Sequence, residues 1–298
     1  MLEKIKKIKY TKMISKKKYA LMRAIPESYI KGIKDFYLTK SGKDAVLPDI
    51  ILARKQHKKY GELLESLGYE LIILSPEEKY PDSPFPEDPF VVISKTALMT
   101  IPGAKSRQGE GEAIERVLKS LGKNIIKMQK PATCDCGDVL KITDEKGKVV
   151  KIFVGLSERT NISGFKQLQK TFVELEGFDP GNIIAVPVNS NCLHLKTAAT
   201  YLGNGILLVD STSVNPKYFK EYGFDRIFVP EIEKYAANCI RIGEYIIMPS
   251  GYPQVKQLIL NAFLKKSKKI KIKEIDMSEF EKVDGGLTCL SILFDIIY

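Results

Sequence analysis

Two histidines and five cysteines stand in this 298-residue chain, and one of each is placed where chemistry is expected. His194 lies in Asn189-Ser-Asn-Cys-Leu-His-Leu-Lys196, just past an apolar run at 183–188, where the chain leaves a strand edge. With His57 the only other histidine, the His194 imidazole is the one available for acid–base work at neutral pH. His57, in Arg54-Lys-Gln-His-Lys-Lys59, reads instead as a solvated residue on the polar side of a helix. Cys289 follows Asp284-Gly-Gly-Leu-Thr288 and is read as opening the last strand, with little side-chain bulk to keep a ligand from its thiol. A thiol and one distant imidazole are the minimum set for cysteine nucleophilic catalysis. A third feature is acidic: Tyr80-Pro-Asp-Ser-Pro-Phe-Pro-Glu-Asp-Pro89 puts Asp82, Glu87 and Asp88 among four prolines. Those prolines disfavour a regular ladder, so the carboxylates can face one cavity, and paired carboxylates suit the forked donors of a guanidinium. Arg107 and Arg159 occur in non-repetitive contexts in a chain with far more lysine than arginine, and could hold a substrate carboxylate. Cys134, Cys136, Cys192 and His194 could together offer three thiolates and an imidazole to zinc, but Cys-x-Cys and Cys-x-His spacings are shorter than those of zinc fingers.

The elements that must position these residues alternate along the chain. Short runs rich in Ile and Val at 19–25, 70–74, 90–93, 97–101, 124–128, 151–155, 183–188, 206–209, 226–229, 245–248, 270–275 and 288–294 read as strands. Between them, apolar spacing predicts helices within 54–67, 107–121, 165–175 and 253–264, the first stopped by Gly68. Thr143-Asp-Glu-Lys-Gly-Lys148 reads as a hairpin turn. A dozen strands against about five helices argues against a simple βαβ wound fold and for repeated ββαβ-like units. No Pro/Gly/Ser linker divides the chain, so one domain over 1–298 is expected, with a basic leader at 1–18. With 44% hydrophobic and 28% charged residues, a disordered or collagen-like chain is excluded. No run approaches the apolar length of a membrane helix, and the irregular cysteines are no disulfide framework. A soluble, cytoplasmic protein without a membrane partner is expected. The net charge of +11 raises nucleic-acid binding as an alternative, through Lys16-Lys-Lys18 and Lys265-Lys-Ser-Lys-Lys-Ile-Lys-Ile-Lys273, but neither run interleaves the aromatics of a nucleic-acid reader.

Taken together, these segments resemble the dimethylarginine dimethylaminohydrolase family, within the guanidino-group-modifying pentein superfamily. The resemblance runs in order from Tyr19 to Phe294. It rests on Met22-Arg-Ala-Ile-Pro-Glu-Ser28, Pro81-Asp82 with Phe85-Pro-Glu-Asp88, Pro102-Gly-Ala-Lys-Ser-Arg107, Gly137-Asp138, Phe153-Val-Gly-Leu-Ser-Glu-Arg-Thr-Asn161, Leu193-His-Leu-Lys196, Ala236-Ala-Asn-Cys239 and Met277-Ser-Glu-Phe-Glu-Lys-Val-Asp-Gly-Gly-Leu-Thr-Cys289. It implies a five-bladed α/β propeller of ββαβ units. It also implies Cys289 as nucleophile, His194 as general acid/base, and Glu87 and Asp88, with Asp82 near by, binding the guanidinium and α-amino end. Arg107 and Arg159 would hold the α-carboxylate, and the backbone at Val283 would contribute to amino-group recognition. The implied reaction converts a methylated arginine or arginine to citrulline through a covalent thiouronium, with no cofactor and no metal; arginine deiminase-like or amidinotransferase chemistry is the alternative within the superfamily. The partner implied is a small guanidino substrate, and a homo-oligomer is compatible with it. Two departures carry expectations. Cys136 stands where the family often has glycine, and cysteine does not readily take φ > 0, so the local turn is expected to differ. The loop at 29–48 is longer than usual.

Overall fold

Four hairpins and one antiparallel pair made from the first and last strands, each followed by a helix and a third strand, account for the strand-rich pattern. The computed structural model describes residues 16–32 and 47–297. In chain order these carry β1 (Lys16–Arg23), α1 (Ile50–Ser66), β2 (Glu70–Leu74), β3 (Phe90–Ile93), β4 (Thr96–Met99), α2 (Glu112–Ser120) and β5 (Asn124–Lys127). Next come β6 (Val139–Thr143), β7 (Val149–Leu156), α3 (Ile162–Glu176), β8 (Ile183–Pro187), α4 (Leu195–Ala198), β9 (Ala199–Gly203), β10 (Ile206–Val209), α5 (Lys217–Lys220) and β11 (Asp225–Phe228). The last are β12 (Ile240–Ile242), β13 (Tyr245–Pro249), α6 (Pro253–Lys265), β14 (Lys271–Ile275), α7 (Ser278–Glu281) and β15 (Ile292–Ile297).

The strands form five three-stranded sheets, ordered β3-β4-β5, β6-β7-β8, β9-β10-β11, β12-β13-β14 and β15-β1-β2. In each, the first pair is antiparallel and the third strand returns parallel after a helix. The fifth sheet joins the two ends of the described chain: β15 pairs with β1 from Lys16↔Ile297 to Leu21↔Ile292. The ring is thereby closed by hydrogen bonds, and the repeated ββαβ unit of the sequence reading is the unit of the fold. Between neighbouring sheets the apolar faces pack into separate cores, such as Ile152, Val154, Leu168 and Phe172 beneath α3.

Local chemistry sets the element ends. Asp49 caps α1 by accepting from the Ile51 and Leu52 amides at 2.8 and 3.0 Å, so the helix begins earlier than its apolar periodicity suggests. It stops at Ser66, before Gly68 at φ 87°. The 143–148 turn is a hairpin, with Gly147 at φ 79° and Asp144 accepting from the Lys146 and Lys148 amides. β6 is the upstream arm of the expected hairpin, whereas β9 and β12, five and three residues long, were not among the strands expected. The basic leader does not extend to residue 18, because Lys16, Lys17 and Lys18 already belong to β1. Its first fifteen residues, and most of the long 29–48 loop, lie outside the described residues. In the second basic run, Lys266 pairs with Asp225 and Lys271 with Glu244. Among the described residues no helix is long and apolar enough to cross a membrane.

One contact ties a helix start to the segment that reaches the centre. A Cβ added to Gly164 in α3 would lie 2.0 Å from the Thr133 carbonyl oxygen, while Asn161 Oδ1 accepts from both Gly164 and Thr133 amides. Gly164→Ala is therefore expected to destabilise the protein by about 1–3 kcal/mol, the usual cost of overpacking, despite alanine's better helix propensity. Thermal unfolding should show a Tm lower by a few degrees; an unchanged Tm would mean that the two backbones do not approach this closely.

Candidate active site

The acidic island is buried, not a solvated loop. A run of turns brings Asp82 to 7% exposure and Asp88 to 2%, and the charge is balanced from one side by Arg107. Arg107 is the last residue of a short 3-10 turn, Lys105–Arg107, and its guanidinium pairs with Asp88 Oδ2. Its Nε donates to Glu110 at 3.1 Å, and Nη2 donates to Glu110 Oε2 at 2.8 Å and to the carbonyls of Phe85 and Asp82 at 3.0 and 3.3 Å. Most of its donors thus hold the island in shape. Asp88 Oδ1 also accepts from the Gly137 amide at 3.0 Å. Burial pushes the Asp88 carboxyl up, but Arg107 and His194 outweigh it and bring its pKa down to about 2, so Asp88 is an anion. Glu87 points elsewhere: Oε1 pairs with Lys196, and Oε2 is buried with no hydrogen-bond partner among the described residues.

His194 sits at the N-cap of α4, 4% exposed, after the chain leaves β8. Its Nε2 lies 3.1 Å from Asp135 Oδ2, and the other Asp135 oxygen accepts from the Gly103 amide at 2.8 Å. Gly137 packs on the ring: an added Cβ would lie 2.5 Å from Nδ1. Asp138 anchors the next residue, accepting from the Leu195 amide at 2.8 Å, while its second oxygen accepts from Ser157 and Thr160 hydroxyls at 2.6 and 2.7 Å. Burial acts to lower the imidazole pKa, but Asp88, the Asp135 hydrogen bond and Asp138 overcome it and raise it to about 9. His194 is an imidazolium at neutral pH, and Asp135 completes a pair that the sequence did not single out.

Cys289 lies in a 3-10 turn, Thr288–Leu290, ahead of β15 and not at the opening of a strand. Its thiol is half-buried. The two glycines before it are required by close packing. A Cβ on Gly285 would lie 2.5 Å from the Phe85 ring, and one on Gly286 would lie 2.7 Å from Asn238. Those neighbours fill the space beside the turn, and Cys289 lines the cleft. Burial first, then the negative charges of Asp88 and Glu87, push its pKa up to about 12, with Lys196 opposing.

These side chains meet in one cleft, lined by Asp82, Asp88, Arg107, Arg159, His194 and Cys289, with Val283 on the same wall. The structure brings seven of the eight sequence-predicted site residues to the lining; Glu87 lies behind it, close enough to raise the thiol pKa. Asp135 is the added member. Its signal was present in Asp135-Cys-Gly-Asp138, but only the fold brings it to a histidine 59 residues away. Neither Cys136 nor Gly137 has a positive φ, so the turn asks for no conformation that a cysteine side chain resists. His57 is not solvated. It is 7% exposed beside Phe280, with its pKa pushed down to about 4 by burial, because α7 covers the helix face read as polar. The thiols of Cys134, Cys136 and Cys192 do not gather with His194. Among the described residues, the one trio of His, Cys, Asp and Glu with ligand atoms within 4.8 Å of one another is Asp88, Asp135 and His194.

Comparison with known proteins gives a consistent pattern. A family profile described as N,N dimethylarginine dimethylhydrolase, eukaryotic, matches residues 43–292. The chain is 34% identical over 279 residues to the dimethylarginine dimethylaminohydrolase of Pseudomonas aeruginosa, covering 93% of this chain and 99% of that one. It is 35% identical over 253 residues to the Streptomyces coelicolor protein of the same name, covering 83% and 88%. A solved structure of the Pseudomonas aeruginosa enzyme, a cysteine-to-serine variant complexed with citrulline, superposes with a TM-score of 0.80 at 32% identity over 93% of this chain and 98% of that one. The N-terminal domain of a cyanobacterial arginine dihydrolase shares the fold, with a TM-score of 0.75 at 18% identity, covering 93% and 97%.

Proposed function

Because the chain belongs to the dimethylarginine dimethylaminohydrolase family, we propose that it hydrolyses the guanidino carbon of a methylated arginine or arginine through a covalent intermediate on Cys289. The family makes it a hydrolase of C–N bonds in linear amidines. The observation that carries the reading is the pairing, in one cleft, of a thiol held protonated by burial and nearby anions with an imidazolium.

Asp88 and Glu87, whose Oε2 has no hydrogen-bond partner among the described residues, offer negative charge to a bound guanidinium, and the bound cation offsets the charges that suppress the thiolate. The thiol proton then passes to bulk water, and the thiolate attacks the guanidino carbon. A C–S bond forms, and the C–N bond breaks as His194 gives its proton to the leaving amine or ammonia. His194, now neutral, takes a proton from water; the hydroxide adds to the thiouronium carbon and the C–S bond breaks, leaving citrulline and the free cysteine. Splitting one hard displacement into two is the gain from the covalent route. Asp82 and the wall at Val283 are the candidates for the α-amino end, and Arg159 with the cleft side of Arg107 for the α-carboxylate.

A colorimetric ureido assay with arginine, monomethylarginine, asymmetric dimethylarginine and agmatine tests both parts. At least one of the amino acids is expected to give ureido product. Agmatine, lacking the carboxylate, is expected to show kcat/KM about 10- to 100-fold lower, the worth of one charge-assisted contact. No product from any of them would overturn the activity; equal rates with agmatine would remove Arg107 and Arg159 from carboxylate binding.

A further inference from the structure

The nucleophile turn and the histidine arrive on different blades, so a contact must fix one relative to the other. We infer that Asn238 is the positioning residue that sets this separation. The inference rests on Cys289 and His194 acting as proposed.

Asn238 ends the 3-10 segment Glu231–Ala237 and is 5% exposed. Its Nδ2 donates to the Lys196 carbonyl at 2.9 Å, two residues past His194. The same nitrogen donates to Thr288 Oγ1 at 3.0 Å, and Oδ1 accepts from the Thr288 amide at 3.1 Å, one residue before Cys289. One side chain therefore bridges the backbone of α4 and the turn that carries the thiol. Gly286 admits it, since a Cβ there would lie 2.7 Å from both Cγ and Oδ1 of Asn238. A second residue of the same segment acts on the same turn: the Tyr235 hydroxyl donates to the Gly285 carbonyl at 2.7 Å. Tyr235 and Asn238, three residues apart, grip the turn on either side of Gly286, but only Asn238 also reaches the histidine's helix. An amide is required for this role. It presents a donor and an acceptor at once, whereas a carboxylate of the same shape keeps only the acceptor. No part of Asn238 lines the cleft, so it acts through Cys289 and His194 and not on substrate.

Misplacing a reacting group by about 1 Å can cost 10²-fold in rate. Asn238→Ala is expected to lower kcat about 30- to 100-fold on the preferred substrate, with KM within threefold of the natural enzyme. Asn238→Asp, which still accepts from the Thr288 amide but cannot donate to Lys196, should fall between the two. Thr288→Val removes the hydroxyl end of the bridge and should lower kcat about three- to tenfold. Combined with Asn238→Ala it should add little, since both act on one contact. Each variant is checked by thermal unfolding, so that kcat is referred to folded protein. A folded Asn238→Ala enzyme with kcat within twofold of natural, or a loss confined to KM, would overturn the assignment. Should Asn238→Ala fail to fold, unchanged kcat in both Asn238→Asp and Thr288→Val would do so. Cys289→Ser run alongside separates the two levels: if it keeps turnover, the catalytic reading is wrong, whatever Asn238 does.

Discussion

Cys289→Ser is expected to lose ureido-product formation by about 10⁴- to 10⁶-fold, the range seen when a covalent nucleophile is removed. The thiol is already held at a pKa of about 12 in the free protein, by burial and by Asp88 and Glu87. A bound guanidinium can bring a thiol within reach of ionisation, but a serine hydroxyl starts from a far less acidic position and is the poorer nucleophile. Folding should survive, because the turn is held by its backbone. The Cys289 amide donates to the Gly286 carbonyl at 3.2 Å, and Thr288 is gripped by Asn238. Activity assay and thermal unfolding together check this, and turnover retained by folded Cys289→Ser would end the covalent mechanism. The raised thiol carries a second consequence. A neutral alkylating agent should label the free enzyme slowly at pH 7, whereas a cationic amidine of similar reactivity should label it faster, because it brings the charge that favours the thiolate.

Much of this site was legible because its residues are chemically uncommon in the chain. Cys289, His194 and the proline-fixed carboxylates at 82, 87 and 88 stood out by type and local sequence, and the alternation of short apolar runs with amphipathic stretches revealed the repeating unit. What escaped depends on three-dimensional packing. Asp135 is an ordinary aspartate until β6 and α4 bring it to His194. The burial of the acidic island depends on Arg107, which turns most of its donors on Glu110, Asp88 and two carbonyls. The reading of Arg107 as a carboxylate clamp gave it one task where the structure gives it a second, holding the anions in place. His57 looked solvated because its neighbours in sequence are charged, yet Gln56 beside it bonds to Ser278 and so docks α7 over that face. The net charge of +11 had least to say, because the cleft sets carboxylates, Asp82 and Asp88 among them, where the surface is basic.

Asp135→Asn is expected to cut turnover about 10²- to 10⁴-fold, the range associated with general acid–base catalysis, and to change its pH dependence. Asp135 supplies one of the interactions that hold His194 at about 9 against burial. Without its charge the imidazole pKa must fall towards, or below, its ordinary value near 6.5, so the alkaline limb of kcat should move down from about pH 9. The deficit should therefore be larger at pH 8 than at pH 6. The sign for stability follows from the same shift. A histidine whose folded pKa lies above its unfolded one contributes stability that is fully present below about pH 6.5 and lost as pH rises through about 9. For a shift from 6.5 to about 9 that contribution is about 3 kcal/mol. The natural protein should thus lose Tm between pH 6.5 and 9, and Asp135→Asn should lose less over that window. Above pH 9 both should decline together, since burial also raises the thiol pKa values of Cys136, Cys192 and Cys289. An unaltered alkaline limb in Asp135→Asn, with an unaltered slope of Tm against pH, would show that Asp135 does not set the charge state of His194.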